Sequence, residues 1–501
     1  MSGLILLPIF LPMIAGIGML VSSASAKWKK APDLSAEGLR KLHILAITVL
    51  AVSAVLALWT AWSGDVSFTL FYLMKDIPIF FHIDDVGRVF VTVISIIWVV
   101  ICIYSFVYMK HEGEERRFFG FYLVVYGVLV ALVFSGNLVT MYLFYEMMTL
   151  TSMPLVLHNG SREAIMAALK YLFYSMCGAY LGLFGIFFLY KYCSSLTFTP
   201  GGTLDMALVS GNQGIVLAAV FAMLIGFGVK AGMLPLHAWL PTAHPVAPSP
   251  ASAALSGIIV KSGVLAVIRT VYYIVGPDFI RGTWVQTAWM VLTLLTVFMG
   301  SMLAFREPVF KKRLAYSTVS QVSYILFGLS ALSPAAMTGA LLHVVFHAFI
   351  KCTLFLTAGI FIFQCGKTRV EELNGIGKEM PKTLWCYTFA SLALIGIPPT
   401  SGFISKWYLA QGALEANIGV FRWIGPVVLL ISALLTAGYL LPVTMNGFFP
   451  AKGTEQTEWK KQEPPYLMLL PLVFLAAMAV LLGVFPNPLI RYFSQIASTV
   501  L

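Results

Sequence analysis

One glutamate and four lysines stand where a chain of this kind should carry no charge, inside long apolar runs of a 501-residue sequence. Glu146 lies in NLVTMYLFYEMMTLTSMPLVL, nine residues past Asn137. At helical rise that is roughly 14 Å of depth, close to the middle of a bilayer core about 30 Å thick. A charge held there costs about 2.5–3.5 kcal/mol even on lenient insertion scales. Something must retain it, either an ion pair with a neighbouring helix or a task in moving ions, and the two are compatible. Lys230 lies in VFAMLIGFGVKAGMLPLHAWLP, five residues before Pro235. Proline lacks the amide donor and clashes with the preceding turn, so the helix must break there. Broken membrane helices are tolerated where they line a cavity. Burial makes the charged form of a lysine costly, so a lysine at such a break can exchange protons near neutral pH; snorkelling to an interface is the plainer alternative. Lys261 lies eleven residues beyond Pro250 in ASAALSGIIVKSGVLAVIRT, too deep to snorkel comfortably and placed to relay a proton from Lys230.

His343, His347 and Lys351 in HVVFHAFIK are spaced i, i+4 and i+8, which stacks them on one helical face. Titratable groups at every turn suit a proton path. Two histidines at i, i+4 can also bind zinc, but no third ligand is close in sequence, and the reading is of no metal site. Lys406 follows a second break, GIPPTSGFISKW, where Pro398 and Pro399 interrupt the helix and Gly402 lets backbone pass closely. A lysine at each of two proline breaks points to an internal repeat around paired sites. His237 and His244 in PLHAWLPTAHPVAPSPAS extend a possible path toward the inner surface, with a purely structural loop role equally open for His244. Ser320 and Gln321 can hold water or simply pack.

These residues need apolar helices to hold them. The chain is 59% hydrophobic and 11% charged, against roughly a quarter charged in soluble domains, so lipid is the expected solvent. Fourteen apolar runs are predicted, beginning near Gly3, Lys41, Val86, Phe118, Asn137, Ala164, Gly214, Pro250, Trp284, Leu314, Pro334, Thr383, Phe421 and Tyr466. The first, from Gly3 to Ser22, reads as a retained helix rather than a cleaved signal. The segment from Asp65 to Asp85 mixes aromatic, β-branched and polar residues and is predicted to be extended structure at a membrane surface.

The net charge of +11 follows topology rather than nucleic-acid binding, because the basic residues punctuate the apolar runs. With the N-terminus outside, inward loops hold 21 of the 32 Lys and Arg residues, outward segments 7, and the spans 4. That bias sets the orientation and predicts both termini outside. The six cysteines sit in or beside apolar runs and form no CxxC pair, so neither disulfides nor zinc are expected.

Together, YEMMTLTSMPL, VKAGMLPLHAWLP, HVVFHAFIK and GIPPTSGFISKW resemble the antiporter-like membrane subunits shared by respiratory complex I, multi-subunit cation/proton antiporters and membrane-bound hydrogenases of the formate hydrogenlyase type. The resemblance runs from the third span to the thirteenth. It implies an all-α polytopic fold of about 14 helices, with helices 4–8 and 9–13 as inverted five-helix repeats and helices 7 and 12 broken. The units would be residues 1–116 (helices 1–3 with the extended segment), 117–276, 277–448 and 449–501. By motif match, Glu146 looks like the family's fifth-helix glutamate, and Lys230 and Lys261 like its seventh- and eighth-helix lysines. His343, His347 and Lys351 look like its eleventh-helix stripe and Lys406 like its twelfth-helix residue. Redox cofactors of such complexes belong to other subunits, so none is expected here. The AHP-APS pattern after the seventh-helix motif is closer to the hydrogenase-linked branch.

The implied function is proton translocation within a redox-driven complex in a prokaryotic-type cell membrane, among other membrane subunits and a peripheral redox arm. A sodium/proton antiporter subunit is the competing reading. A stand-alone permease lacks a substrate-pocket signature. An enzyme acting alone lacks any nucleotide loop, metal cluster or CxxCH.

Overall fold

Why the chain should fold as a bundle in lipid follows from its backbone: in hydrocarbon every amide must be satisfied within the chain, and a helix does so locally. The computed structural model describes residues 2–28, 35–450 and 460–501. Lys29, Lys30 and Lys452, used in the charge count, lie outside the described residues.

In chain order the helices are α1 (Leu7–Trp28), α2 (Ala36–Trp62), α3 (Asp85–Glu112), α4 (Glu115–Val133), α5 (Leu138–Val156) and α6 (Arg162–Tyr192). A broken helix follows, α7a (Gln213–Ala231) and α7b (Leu240–Val246), then α8 (Ser249–Val275), α9 (Trp284–Arg306), α10 (Phe310–Ser330) and α11 (Pro334–Cys365). The second broken helix is α12a (Pro381–Ile395) and α12b (Ser401–Glu415), and α13 (Phe421–Phe448), α14 (Tyr466–Val484) and α15 (Asn487–Val500) complete the chain. Both breaks are built alike. α7a ends at Gly232 with φ +80° and α12a at Gly396 with φ +93°, a left-handed cap that only glycine adopts without strain. Proline follows within a few residues in each case, at Pro235 and at Pro398.

Eleven helices among the described residues are long and apolar enough to cross a membrane. The remaining three expected runs are helical too, as α5, α10 and α12, but fall outside that set for a physical reason. α5 carries Glu146 and a run of Thr and Ser, α10 opens on Lys311, Lys312 and Arg313, and α12 is cut into two 15-residue halves. Much of each is shielded by the bundle, so their side chains answer to protein rather than lipid. α8 is buried along its whole length and α11 nearly so.

The expected extended segment is a two-stranded antiparallel hairpin, β1 (Ser67–Met74) and β2 (Ile77–His82), with Ser67 opposite His82. It docks on the α4–α5 junction: the Asn137 side-chain amide donates to Pro78 O at 2.7 Å and the Gly136 amide to Phe80 O at 2.9 Å. The face carrying this hairpin is a useful landmark. α8 ends there, and α15 lies there as an amphipathic helix, burying Phe493, Ile496, Ala497 and Val500 while Arg491 and Gln495 face out. No sequence expectation covered α15.

Close packing depends on glycine. A Cβ on Gly127 of α4 would meet Ile9 O of α1 at 2.4 Å. Where α6 crosses α7a, a Cβ on Gly226 would meet Gly178 O at 2.3 Å. Small residues let membrane helices approach backbone to backbone. Gly226→Val is therefore expected to push α6 from α7a and cut the yield of assembled protein, measured by size exclusion in detergent, whereas Gly214→Ala, with open space around its Cβ position, leaves it unchanged.

Candidate functional site

All four membrane lysines lie inside the bundle, and none forms an ion pair with a carboxylate among the described residues. Lys230, Lys261 and Lys351 are buried and Lys406 is half-buried. An ammonium in such a place must be met by other acceptors, and each lysine finds them differently.

Lys230, in the last turn of α7a, is held by two residues one turn apart on α5. Its Nζ lies 4.1 Å from the centre of the Tyr145 ring and donates to the Tyr145 carbonyl at 3.2 Å and to the Thr149 hydroxyl. The ring face and the carboxyl end of a helix both favour a cation. Glu146 stands next to Tyr145 but is half-buried, and its Oε1 has no hydrogen-bond partner among the described residues. Direct contact with Lys230 thus belongs to Tyr145 and Thr149.

Lys261 lies on α8 just past a π-helical turn, Leu255–Ile259. Such turns leave carbonyls outside the regular ladder. One of them, Ser256 O, accepts from Lys261 Nζ at 2.8 Å. The same nitrogen is 2.7 Å from His347 Nδ1 on α11. If the lysine donates, the imidazole carries its proton on Nε2, and that atom is buried with no protein partner. One turn earlier on α11, the His343 ring is 5.8 Å from that of His347; its Nδ1 is 2.9 Å from Ser405 Oγ, and its Nε2 is again buried and unpartnered. Tyr324 on α10 stacks on His343 at 5.8 Å and lies 5.1 Å from Lys406 Nζ. Lys406 in turn donates to Leu394 O at 2.6 Å and Ile395 O at 2.9 Å, closing the free carbonyl end of α12a.

Lys261, His347, His343 and Lys406 therefore form one row across α8, α11 and α12b. Lys351 shares the α11 stripe but turns to α10, donating to Leu314 O at 3.1 Å and Ser317 Oγ at 2.6 Å; Ser317 also accepts from Tyr439 at 2.8 Å. His244 on α7b is fully buried, with no hydrogen-bond partner for either ring nitrogen among the described residues, and is stacked on Phe355 at 4.6 Å. His237 sits in the α7 break, half-buried and outside this row. Lys230 and Lys261 are on packed helices, since a Cβ on Gly263 of α8 would meet Phe227 O of α7a at 2.6 Å. Gln321 is buried with both amide atoms unpartnered, whereas Ser320 is satisfied by Val297 O and the hydroxyls of Ser301 and Ser432.

Sequence reasoning missed Tyr145, Thr149, Ser256, Ser317, Tyr324, Ser405 and Tyr439, the residues that meet these lysines and histidines. Tyr145 and Thr149 alone carried a signal, flanking Glu146 at helical spacing. Buried polar atoms are costly unless bonded, and Nε2 of His343 and Nε2 of His347, both on α11, have no hydrogen-bond partner among the described residues.

These features define a polytopic helical membrane protein with titratable groups in two broken-helix halves. The chain belongs to the family described as NADH:quinone oxidoreductase/Mrp antiporter, TM, whose pattern matches residues 135–450. Residues 74–119 match the pattern described as NADH-ubiquinone oxidoreductase (complex I), chain 5 N-terminus. Among relatives, NADH-quinone oxidoreductase subunit N of Desulforudis audaxviator is 32% identical over 83% of this chain and 84% of its own length. Hydrogenase-4 component B of Escherichia coli is 32% identical over 80% of this chain, which spans only 62% of that longer protein. A Na(+)/H(+) antiporter subunit from Alkalihalophilus pseudofirmus is 27% identical over 100% of this chain and 98% of its own length.

Proposed function

We propose that this chain is the proton-translocating, antiporter-like membrane subunit of a redox-driven respiratory or hydrogenase complex. The observation that carries the proposal is the buried row of Lys261, His347 and His343 leading to Lys406. Glu146 sets the charge state of Lys230: when its carboxylate is ionised, the lysine holds a proton, and when that influence weakens, the proton is released toward Lys261. From there it passes directly to Nδ1 of His347, 2.7 Å away, then by water from Nε2 of His347 to His343, and on to Lys406. Lys351, with His244 and His237, supplies the branch to the opposite face. The redox chemistry belongs to partner subunits forming a peripheral arm, as the names of the relatives suggest. No cofactor is assigned to this chain.

The same reading takes fourteen crossings, arranged as inverted repeats over 117–276 and 277–448 after a unit of 1–116 and before a unit of 449–501. The parallel breaks at Gly232 and Gly396 support it. The excess of Lys and Arg in alternate loops supports reading the hairpin face, and with it both termini, as lying outside a prokaryotic-type cell membrane.

The test is Glu146→Gln in the intact complex, reconstituted in proteoliposomes. It is expected to assemble normally while lowering the rate of proton translocation at least about tenfold, a barrier change of about 1.4 kcal/mol; an unchanged rate would remove Glu146 from the mechanism. A second reading, membership of a multi-subunit sodium/proton antiporter, is favoured by the end-to-end match with the Alkalihalophilus pseudofirmus antiporter protein. It requires transport that depends on sodium at fixed pH, whereas the first reading requires none.

A further inference from the structure

Arg269 falls among the outward segments in the charge count, yet it is 2% exposed. It sits eight residues after Lys261 on α8, with Leu265 midway; spacing of four and eight places all three on one helical face. Its guanidinium is sandwiched between Phe198 and Tyr273, 4.8 and 4.7 Å from the ring centres, and grips Asp84 through both terminal nitrogens, one of them at 2.6 Å from Oδ1. Asp84 is the N-cap of α3 and also accepts from the Gly87 amide at 2.9 Å. On the hairpin side of this pair a cavity of about 130 Å³ is lined by His82, Asp84, Asp85, Tyr273, Ile496 and Thr499. A second, apolar cavity of about 20 Å³ is walled by Leu129, Leu132 and Val133 of α4, Phe90 of α3, and Leu265, and the Lys261 side chain is part of its wall. That volume holds about one water. The two cavities flank one spot, because a Cβ on Gly87 would lie 3.3 Å from Val133 O and 3.9 Å from an Arg269 nitrogen.

We propose that these features form a port between Lys261 and the hairpin face, with the Asp84–Arg269 pair as its polar lip and the Leu129, Leu132 and Leu265 side chains as an apolar plug. A purely structural ion pair does not call for a polar cavity beside it and a small apolar one nearby with a buried lysine in its wall. Apolar constrictions in membrane proteins gate by losing or gaining water. With the plug dry, Lys261 is served from Lys230 alone; with it wet, a proton passes by water between Lys261 and the hairpin-side cavity, drawn past the Asp84 carboxylate that Arg269 keeps anchored and ionised. This deepens the proposed function and rests on it. It adds a route to the hairpin face that does not run through Lys406.

Thr499, exposed on α15, lines the mouth but touches neither the pair nor the plug. In the intact complex in proteoliposomes, Thr499→Cys is expected to pump normally until a bulky membrane-impermeant methanethiosulfonate reagent is added on the hairpin side. Pumping should then fall by the share this route carries and should return on reduction, while wild type under the same reagent is unaffected. Leu265→Ser is expected to collapse a preset pH gradient faster than wild type with no redox substrate present. Labelled Thr499→Cys pumping at its unlabelled rate would overturn the port, as would Leu265→Ser holding the gradient as wild type does. If instead Lys230→Ala pumps normally in the same assay, it is the underlying translocation reading that fails.

Discussion

Lys230→Ala is expected to assemble at wild-type yield and to move almost no protons, with redox turnover either uncoupled or stalled. Alanine deletes the ammonium that sits on the Tyr145 ring and bonds the Tyr145 carbonyl and the Thr149 hydroxyl. It leaves behind a backbone carbonyl and a threonine, neither of which titrates. The loss should be at least about a hundredfold, or about 2.7 kcal/mol at the barrier, because no other side chain of α7a can take over the proton. Lys230→Arg sharpens the test. Arginine keeps the charge and can reach the same acceptors, but it does not deprotonate in proteins. If position 230 only anchors α7a to α5, arginine should restore activity; if it carries protons, arginine should be as inactive as alanine. Proton uptake per electron in proteoliposomes distinguishes the two.

Lys261→Met is expected to be inactive and yet no less stable than wild type. Among the described residues a buried ammonium with no carboxylate beside it is met by Ser256 O and His347 Nδ1, and removing its desolvation cost of several kcal/mol offsets the roughly 1–3 kcal/mol of leaving each acceptor without a donor. The leucines and valines around the adjoining cavity are ready to pack a methionine. A residue that costs stability and is needed for transport separates function from folding. The measurement is a melting curve in mild detergent beside a pumping assay on the same preparation. A lower melting temperature together with retained pumping would make Lys261 a structural residue.

Much of this was legible in the sequence because lipid makes charge conspicuous. Glu146, Lys230, Lys261, His343, His347, Lys351 and Lys406 stand out among apolar neighbours, and the structure places all of them inside the bundle. The breaks were legible from Pro235, Pro398 and Pro399, since proline acts locally. The hairpin was foreseen as extended segment only, because strand pairing depends on residues brought together by the turn. What stayed hidden is what comes from afar. Tyr439 reaches Ser317 from a helix more than a hundred residues away in sequence, and Asp84 meets Arg269 across 185 residues. The π-turns of α8 left no mark in its composition. α15 was passed over because its apolar face is a stripe rather than a run, and a search for crossings looks for runs.

The most direct measurement is a density map of the intact complex in lipid at a resolution that shows ordered water. Proton translocation along this row predicts water bonded to Nε2 of His347 and of His343, linking Lys261 to Lys406 at mid-depth in the bilayer. A dry interior there, or a Lys230 ammonium at headgroup level facing away from the bundle, would contradict it.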